Sequence, residues 1–199
     1  MKLKSICVYC GSSPGSTPEY MAAAENLGRE IAARGMRLVY GGASVGLMGA
    51  VAKAALAAGG LVTGVIPQAL SDQEVAFSEL DDLIVVDSMH TRKATMAELA
   101  DGFIALPGGY GTLDEFFEVL TWAQLGLHAK PCGLLNIHHY YDYLLAFLDY
   151  SVNEMFVHRP HRDMIHTSEN AAGLIRQMEA FDKPPVKKAD WIHAMDQRK

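Results

Sequence analysis

The sequence lacks the features that would point to a membrane, to secretion or to nucleic acid. No apolar run approaches the roughly 20 residues that a helix needs to cross a bilayer. The first residues do not follow the basic, apolar and small-residue order of a secretory signal. The formal net charge is −6 with no basic block before the C-terminus, which argues against a nucleic-acid surface. We therefore expect a cytoplasmic protein without membrane or nucleic-acid partners.

Cysteine is also scarce, with three among 199 residues. Cys7 and Cys10 have the spacing of a redox pair, but they lie in a predicted strand, where positions three apart face opposite sides of the sheet. We predict that all three cysteines are reduced, which suits the cytoplasm. No histidine has the His-Glu-x-x-His spacing of a helical zinc site, and no glycine loop ends in the Gly-Lys-Ser/Thr of a Walker motif. No metal site is predicted.

What the sequence does contain is an alternation of apolar strands and helices. Predicted strands cover residues 5–10, 37–40, 61–66, 83–87, 103–106 and 131–137. Predicted helices cover residues 18–34 and 45–56, a short helix through 100, a long helix from about 112, and residues 140–154 and 168–181. Continuously apolar strands alternating with helices predict an α/β fold: a doubly wound, Rossmann-like parallel sheet with helices on both faces. Half of the residues are hydrophobic, so one domain is expected over residues 1–182, with a C-terminal tail over 183–199.

Ligands of doubly wound sheets bind beyond the carboxyl ends of the strands, where the winding reverses. In the commonest order the first and fourth strands are neighbours at that point. The loops that meet would then be residues 11–13, residues 88–93 and the glycine loop after the fifth strand. We therefore expect Gly11 and Ser12 to bind the ligand and Met89 to contact a base.

The most informative stretch is Pro107-Gly-Gly-Tyr-Gly-Thr-Leu-Asp-Glu115, which follows an apolar run and leads into a helical apolar pattern. Unpaired N–H groups in such a loop and in the first helical turn bind anions, and glycine lets a phosphate approach the backbone. We predict a phosphate site here, and the alternative is an ordinary tight turn. Glu115 follows Thr112 at the spacing of a capping box, so it could cap the helix, serve catalysis, or do both.

Arg92 and Lys93 carry the second signal. Both are expected in the first turn of a helix, where a cation opposes the helix dipole. An anionic ligand between this turn and the glycine loop would compensate, and the alternative is a solvated basic pair at the surface. A planar guanidinium suits bidentate contact with phosphate or polarisation of a substrate hydroxyl, so Arg92 is the stronger candidate.

Met89-His-Thr-Arg-Lys93 and the 107–115 stretch together resemble the LOG (LONELY GUY) family of cytokinin riboside 5′-monophosphate phosphoribohydrolases, long mislabelled as lysine decarboxylases. The resemblance runs from residue 6 to about residue 175 and includes Cys10-Gly-Ser-Ser, Tyr40-Gly-Gly and Gly46-Leu-Met-Gly49. It implies hydrolysis of the N-glycosidic bond of AMP or an N6-modified AMP, with release of free base and ribose 5-phosphate. It also implies that no metal and no organic cofactor take part.

The resemblance further implies roles for individual residues. Arg92 and Glu115 match the catalytic pair, and a carboxylate near the anomeric carbon suits an oxocarbenium-like transition state. With the loop residues inferred above, the predicted substrate contacts are Gly11, Ser12, Glu74, Met89, Arg92, Lys93, Gly108, Gly109, Tyr110, Gly111, Thr112, Leu113, Asp114, Glu115 and Thr121. The family usually forms dimers. Six aromatic residues also favour a homodimer: Phe116, Phe117, Trp122, Tyr140, Tyr141 and Tyr143.

Two other functions are open at this point. A carrier on the same fold, as in the similar molybdenum-cofactor carrier proteins, would bind AMP-like ligands without turnover. A lysine decarboxylase would need pyridoxal phosphate on a lysine, but the chain is short for that fold and has no Ser-x-His-Lys segment. Release of free base separates the hydrolase from the carrier, and the absorbance band of the cofactor would identify the decarboxylase.

Overall fold

A computed structural model describes residues 3–71, 77, 80 and 82–182. Within these, one parallel sheet has seven strands, namely β1 (Ser5–Tyr9), β2 (Arg37–Tyr40), β3 (Val62–Pro67), β4 (Asp82–Val86), β5 (Gly102–Ala105), β6 (Cys132–Leu135) and β7 (Ile165–Ser168). The helices are α1 (Pro18–Ala33), α2 (Gly46–Ala57), α3 (Gln68–Ser71), α4 (Met89–Leu99), α5 (Tyr110–Leu125), α6 (Asp142–Asn153), α7 (Arg159–Arg162) and α8 (Ala171–Glu179). A 3-10 turn covers Ile137–His139. The predicted tail, residues 183–199, lies outside the described part of the chain.

Helices cover both faces of the sheet, as predicted. Along β1, Ile6 and Val8 pack into one core and Cys7 and Tyr9 into the other, because successive strand residues face opposite sides. Helices α1, α2 and α8 contribute to the first core, and α4, α5 and α6 contribute to the second. Burial from both sides explains why the central strands are continuously apolar.

The strand order is β4-β3-β2-β1-β5-β6-β7, which differs from the expected order. β1 pairs with β2 and β5, whereas β4 pairs with β3 at the edge of the sheet. The expectation that the first and fourth strands are neighbours was wrong, because β4 continues outward beyond β3. Crossover rules restrict the handedness of each connection but not how far along the sheet it reaches. The winding therefore reverses between β1 and β5.

The C-terminal third contains a strand that the sequence pattern did not indicate. β7 pairs with β6 at the other edge of the sheet, in a segment for which no strand was predicted. Only its first residue, Ile165, is fully buried. Since an edge strand is covered incompletely, it carries a weak apolar pattern, which is why no strand was predicted here.

The three cysteines, Cys7, Cys10 and Cys132, are free and buried. Cys7 and Cys10 belong to opposite cores, which confirms the prediction that they do not form a disulfide. Burial raises the pKa of the Cys132 thiol to about 12, so this residue stays protonated at neutral pH.

Among the described residues, no helix combines the length and the apolar character needed to cross a membrane. In the same part of the chain, no three His, Cys, Asp or Glu side chains gather as a group that could hold a metal ion.

Candidate active site

The glycine loop connects β5 to α5 at the point where the winding reverses. α5 begins at Tyr110 with Gly109 as its N-cap residue, and no side chain caps it. The first N–H groups of α5 therefore lack an intrahelical acceptor and can bind an anion. Gly11 lies against this loop, with its N–H donating to the Pro107 carbonyl at 3.1 Å. The loops after β1 and β5 thus meet, as predicted.

A pocket of about 390 Å³ opens beside the glycine loop. Its walls come from the loop after β1, from α1 and α2, from the glycine loop itself and from the segment after β6: Gly11, Ser12, Ser13, Gly15, Ser16, Tyr20, Leu47, Pro107, Gly108, Gly109 and Tyr140. The predicted residues Gly11, Ser12, Gly108 and Gly109 therefore share one pocket. Serine hydroxyls and backbone groups beside two tyrosine rings suit a polar ligand with a flat apolar part.

Thr112 and Glu115 do not form the predicted capping box. α5 begins at Tyr110, so Thr112 is its third residue and not its N-cap. Gly109 fills the N-cap position, which glycine accepts readily. The carboxylate of Glu115 instead accepts a hydrogen bond from Arg92 Nη1 at 2.9 Å.

Arg92 and Glu115 form a buried ion pair, with side chains 10% and 11% exposed. Arg92 also donates from Nε to the Val65 carbonyl at 3.0 Å and from Nη2 to the Gly41 carbonyl at 3.4 Å. Burial raises the pKa of Glu115, and the guanidinium of Arg92 opposes that rise. The pair does not line the 390 Å³ pocket, but Glu115 lies on the helix whose N-cap residue, Gly109, lines it. The arrangement holds a carboxylate of raised proton affinity in a fixed orientation.

Lys93 follows Arg92 but faces other carboxylates. Its Nζ is 3.2 Å from Asp114 Oδ2 and 3.1 Å from Glu118 Oε2. Burial alone would lower the pKa of Lys93, but the hydrogen bonds to Glu118 and Asp114 outweigh it, so the pKa is raised. An anionic ligand was expected to compensate the two cations, but carboxylates of α5 already pair with both.

Three predicted substrate contacts lie on a different surface. Leu113, Asp114 and Thr121 line an open depression of about 460 Å³ on α5, together with Phe117, Glu118 and Trp122. This depression shares no lining residue with the pocket beside the glycine loop. Within one chain, Thr121 and Gly11 therefore belong to separate surfaces.

The other predicted residues lie at the starts of α4 and α5. Met89 is the first residue of α4, and its Sδ is 4.0 Å from Arg92 Nη1. Tyr110 is 95% exposed, and a Cβ added to Gly111 would meet no atom within 4 Å. Both positions of α5 therefore have room for a ligand. Glu74 lies outside the described residues.

Two contacts of the site had little or no signal in the sequence. A Cβ added to Gly41 would lie 2.1 Å from Arg92 Nη2, so glycine is needed where the guanidinium crosses the backbone. Two adjacent glycines after a strand were the only indication of this. The Tyr140 hydroxyl donates to the Gly108 carbonyl at 2.7 Å. That contact depends on how the segment after β6 approaches the glycine loop, which no local pattern encodes.

Fold and site together define a doubly wound α/β protein with a glycine loop where the winding reverses and a buried guanidinium–carboxylate pair on the helix that follows this loop. A family model described as possible lysine decarboxylase matches residues 48–178. Cytokinin riboside 5′-monophosphate phosphoribohydrolase LOG7 of Arabidopsis thaliana is 51% identical over 181 residues, covering 91% of this chain and 83% of that protein. The enzyme LOG of Oryza sativa subsp. japonica is 48% identical over 180 residues, covering 90% of this chain and 74% of that protein. The chain belongs to the LOG family of cytokinin riboside 5′-monophosphate phosphoribohydrolases, as its two motifs indicated.

Solved structures confirm the predicted fold class. A molybdenum cofactor binding protein from Rippkaea orientalis superposes with a TM-score of 0.69 at 25% identity, covering 90% of this chain and 98% of that one. The Moco carrier protein from Chlamydomonas reinhardtii gives a TM-score of 0.67 at 24% identity, covering 90% and 97%. The carriers share the fold, but they are far more distant in sequence than the phosphoribohydrolases.

Proposed function

We propose that this protein hydrolyses the N-glycosidic bond of AMP or of an N6-modified AMP, such as a cytokinin riboside 5′-monophosphate. The products are the free base and ribose 5-phosphate. The observation that carries this proposal is the buried Arg92–Glu115 pair, whose carboxylate lies on the helix that starts at the glycine loop. The reaction needs an anion near the ribose and a separate grip on the 5′-phosphate, and these two features supply them. The relatives of about 50% identity are named for this reaction.

In the proposed mechanism, Glu115 acts on the ribose. Positive charge develops on the sugar as the bond between the anomeric carbon and the base breaks. The ionised carboxylate stabilises that charge or accepts a proton from the attacking water. The bond electrons leave with the base, which gains a proton, while the water oxygen bonds to the anomeric carbon. A raised pKa makes Glu115 a better proton acceptor, and Arg92 fixes its orientation.

The 5′-phosphate is proposed to bind the unpaired N–H groups at the start of α5, beside Ser12. This remote group can orient the ribose toward Glu115, so that its binding energy lowers the barrier at the reacting carbon. Arg92 and Lys93 stay predicted substrate contacts. Since both side chains already pair with carboxylates, their contribution to phosphate binding is expected to be smaller than that of the loop.

Incubation with AMP, isopentenyl-AMP and adenosine tests the proposal, with chromatography to quantify free base and ribose 5-phosphate. We expect both products in equal amounts from the monophosphates and much slower cleavage of adenosine. Arg92→Ala should lose most of the activity. Binding of AMP without release of base would instead support the carrier function. Equal rates with AMP and adenosine would refute the phosphate assignment.

We also propose that the protein is a cytoplasmic homodimer. Three free, buried cysteines suit a reducing compartment. Of the six aromatic residues that favoured a homodimer in the sequence, Phe116 and Tyr141 are buried in the core of the chain. However, α6 exposes Tyr143, Phe147 and Tyr150 at helical spacing, which forms an aromatic stripe on its surface.

Light scattering at micromolar concentration should give twice the mass of one chain. Phe147→Glu places a charge in the middle of the stripe and should shift the protein toward the monomer. A monomer mass for the unmodified protein would contradict the proposal.

A further inference from the structure

The segment that follows β6 is attached to the glycine loop by two tyrosine hydroxyls. Tyr140 donates to the Gly108 carbonyl at 2.7 Å, and Tyr141 donates to the Leu106 carbonyl at 2.6 Å. Tyr141 is buried, whereas the Tyr140 side chain lines the pocket and remains 44% exposed. The two hydroxyls therefore hold different parts of the loop. Tyr141 holds its base at Leu106, and Tyr140 holds the Gly108 peptide beside the pocket.

The backbone before Tyr140 adopts an unfavourable conformation that its surroundings hold in place. His138 and His139 have φ angles of 51° and 59°, in the left-handed region that L-residues seldom adopt. The Asn136 side chain closes this turn by accepting from the Tyr141 N–H at 2.7 Å. Strained backbone of this kind often marks a functional position. Here its effect is to place the Tyr140 ring edge-on between Tyr20 and Tyr141.

The Tyr140 hydroxyl fixes the direction of one peptide in the glycine loop. In a trans peptide the Gly108 carbonyl and the Gly109 N–H point in opposite directions, so holding one orients the other. The other side of Gly108 is closed as well, because an added Cβ would lie 2.1 Å from Thr112 Oγ1 and 2.8 Å from Gly11 N. This peptide is thus held from both sides, at the start of the helix whose N–H groups lack intrahelical acceptors.

We propose that Tyr140 is a positioning residue for phosphate binding: its hydroxyl holds the Gly108–Gly109 peptide so that the N–H groups of the glycine loop converge on the 5′-phosphate. The proposal rests on the proposed function only in taking the ligand as a phosphate monoester. It assigns to Tyr140 no contact with the reacting carbon. Loss of the Tyr140 hydroxyl should therefore lower the affinity for phosphate and leave the rate of bond cleavage unchanged.

Tyr140→Phe removes the hydroxyl and keeps the ring contacts, and Tyr143→Phe is the matched control because Tyr143 lies on α6 and does not line the pocket beside the glycine loop. Calorimetry measures the affinity of each variant for inorganic phosphate and for AMP, and chromatography gives kcat and KM with AMP and with adenosine. For Tyr140→Phe we expect about three- to tenfold weaker phosphate and AMP binding, the share that one neutral hydrogen bond supplies. The KM for AMP should rise by the same factor, while kcat and the cleavage of adenosine stay unchanged.

Unchanged phosphate affinity in Tyr140→Phe would overturn the proposal, and so would failure of the unmodified protein to bind either phosphate or AMP. Equal losses with AMP and adenosine would also overturn it, because they would indicate a general structural role. Failure of the proposed function looks different. If the unmodified protein binds AMP and releases no base, the hydrolase assignment is wrong, while the binding comparison still decides the role of Tyr140.

Discussion

Replacement of Glu115 by glutamine tests the central interaction of the site. Glutamine keeps the shape and an acceptor toward Arg92 Nη1, 2.9 Å away, but it removes the negative charge. Breaking a buried pair by loss of one partner costs about 3–5 kcal/mol. The retained acceptor should reduce the loss of stability to about 1–3 kcal/mol, the usual range for an imperfectly satisfied buried group. We therefore expect a folded variant with a lower melting temperature.

The catalytic effect should be larger than the effect on stability. If Glu115 stabilises the oxocarbenium-like state or activates water, kcat should fall about 10²- to 10⁴-fold, or roughly 3–5 kcal/mol of transition-state stabilisation. Affinity for AMP should change little, because the proposed phosphate contacts remain. Three measurements on one preparation separate these effects. Chromatography of released adenine gives kcat, calorimetry gives the affinity for AMP, and thermal melting gives the stability. Glu98→Gln, at an exposed carboxylate of α4, is the control and should keep its activity. Full turnover by Glu115→Gln would remove this residue from the mechanism.

The pH dependence of the same variant gives an independent check. Burial raises the pKa of Glu115, with Arg92 opposing, so the folded protein binds this proton more tightly than the unfolded chain does. Glu115 therefore makes its full contribution to stability at a pH below the pKa that it has in the unfolded chain. This contribution is lost as the pH rises through the pKa of Glu115 in the folded protein. Glutamine does not titrate, so the stability of Glu115→Gln relative to the unmodified protein should increase as the pH rises through that interval. A constant difference measured by urea unfolding would show that burial does not raise this pKa.

Three further substitutions address individual contacts. Gly41→Ala should displace the Arg92 guanidinium, since the new Cβ would lie 2.1 Å from Nη2, and we expect kcat to fall about 10- to 100-fold with a lower melting temperature, because the buried ion pair is disturbed. Lys93→Met should cost at most about 1 kcal/mol of stability, because its two ion pairs are partly exposed, and the difference should shrink in high salt. A loss of activity above 100-fold at unchanged stability would instead make Lys93 a substrate contact. Gly126→Ala should cost about 1 kcal/mol in urea unfolding, because Gly126 ends α5 with a φ of 80°, and an unchanged midpoint would contradict this.

The strands and helices of the fold were largely predictable because the central strands are buried on both faces. The runs of β1, β2, β3 and β5 end at or next to a glycine or proline, and the predicted positions agree with the structure to within a few residues. The strand order was not predictable from the same pattern, because β4 is as apolar at the edge as it would be beside β1. β7 was missed for the opposite reason, since a half-covered strand at the edge needs little apolar character.

The site was predictable where the local chemistry is unusual. Three glycines around the start of a helix indicated a loop whose N–H groups are available to an anion, and a cation near the start of a helix marked Arg92 as a residue with a special partner. The identity of that partner was not predictable from α4 alone. Glu115 had a sufficient local interpretation as a cap, and only the start of α5 at Tyr110 excludes it. Contacts between distant loops, such as that of Tyr140 with Gly108, leave no local pattern.

The position of Arg92 follows from the path that the chain takes between β4 and β5. β4 lies at the edge of the sheet and β5 beside β1, so α4 has to pass the strands between them, and it contacts each strand from β4 to β1. A side chain near its start therefore reaches carbonyls of strands that neither precede nor follow this helix, at Val65 and Gly41. Had β4 paired directly with β1, α4 would not have had to pass β3 and β2. The guanidinium is held by β3, by the turn after β2 and by α5, and this explains how a cation that opposes the dipole of its own helix stays buried and oriented.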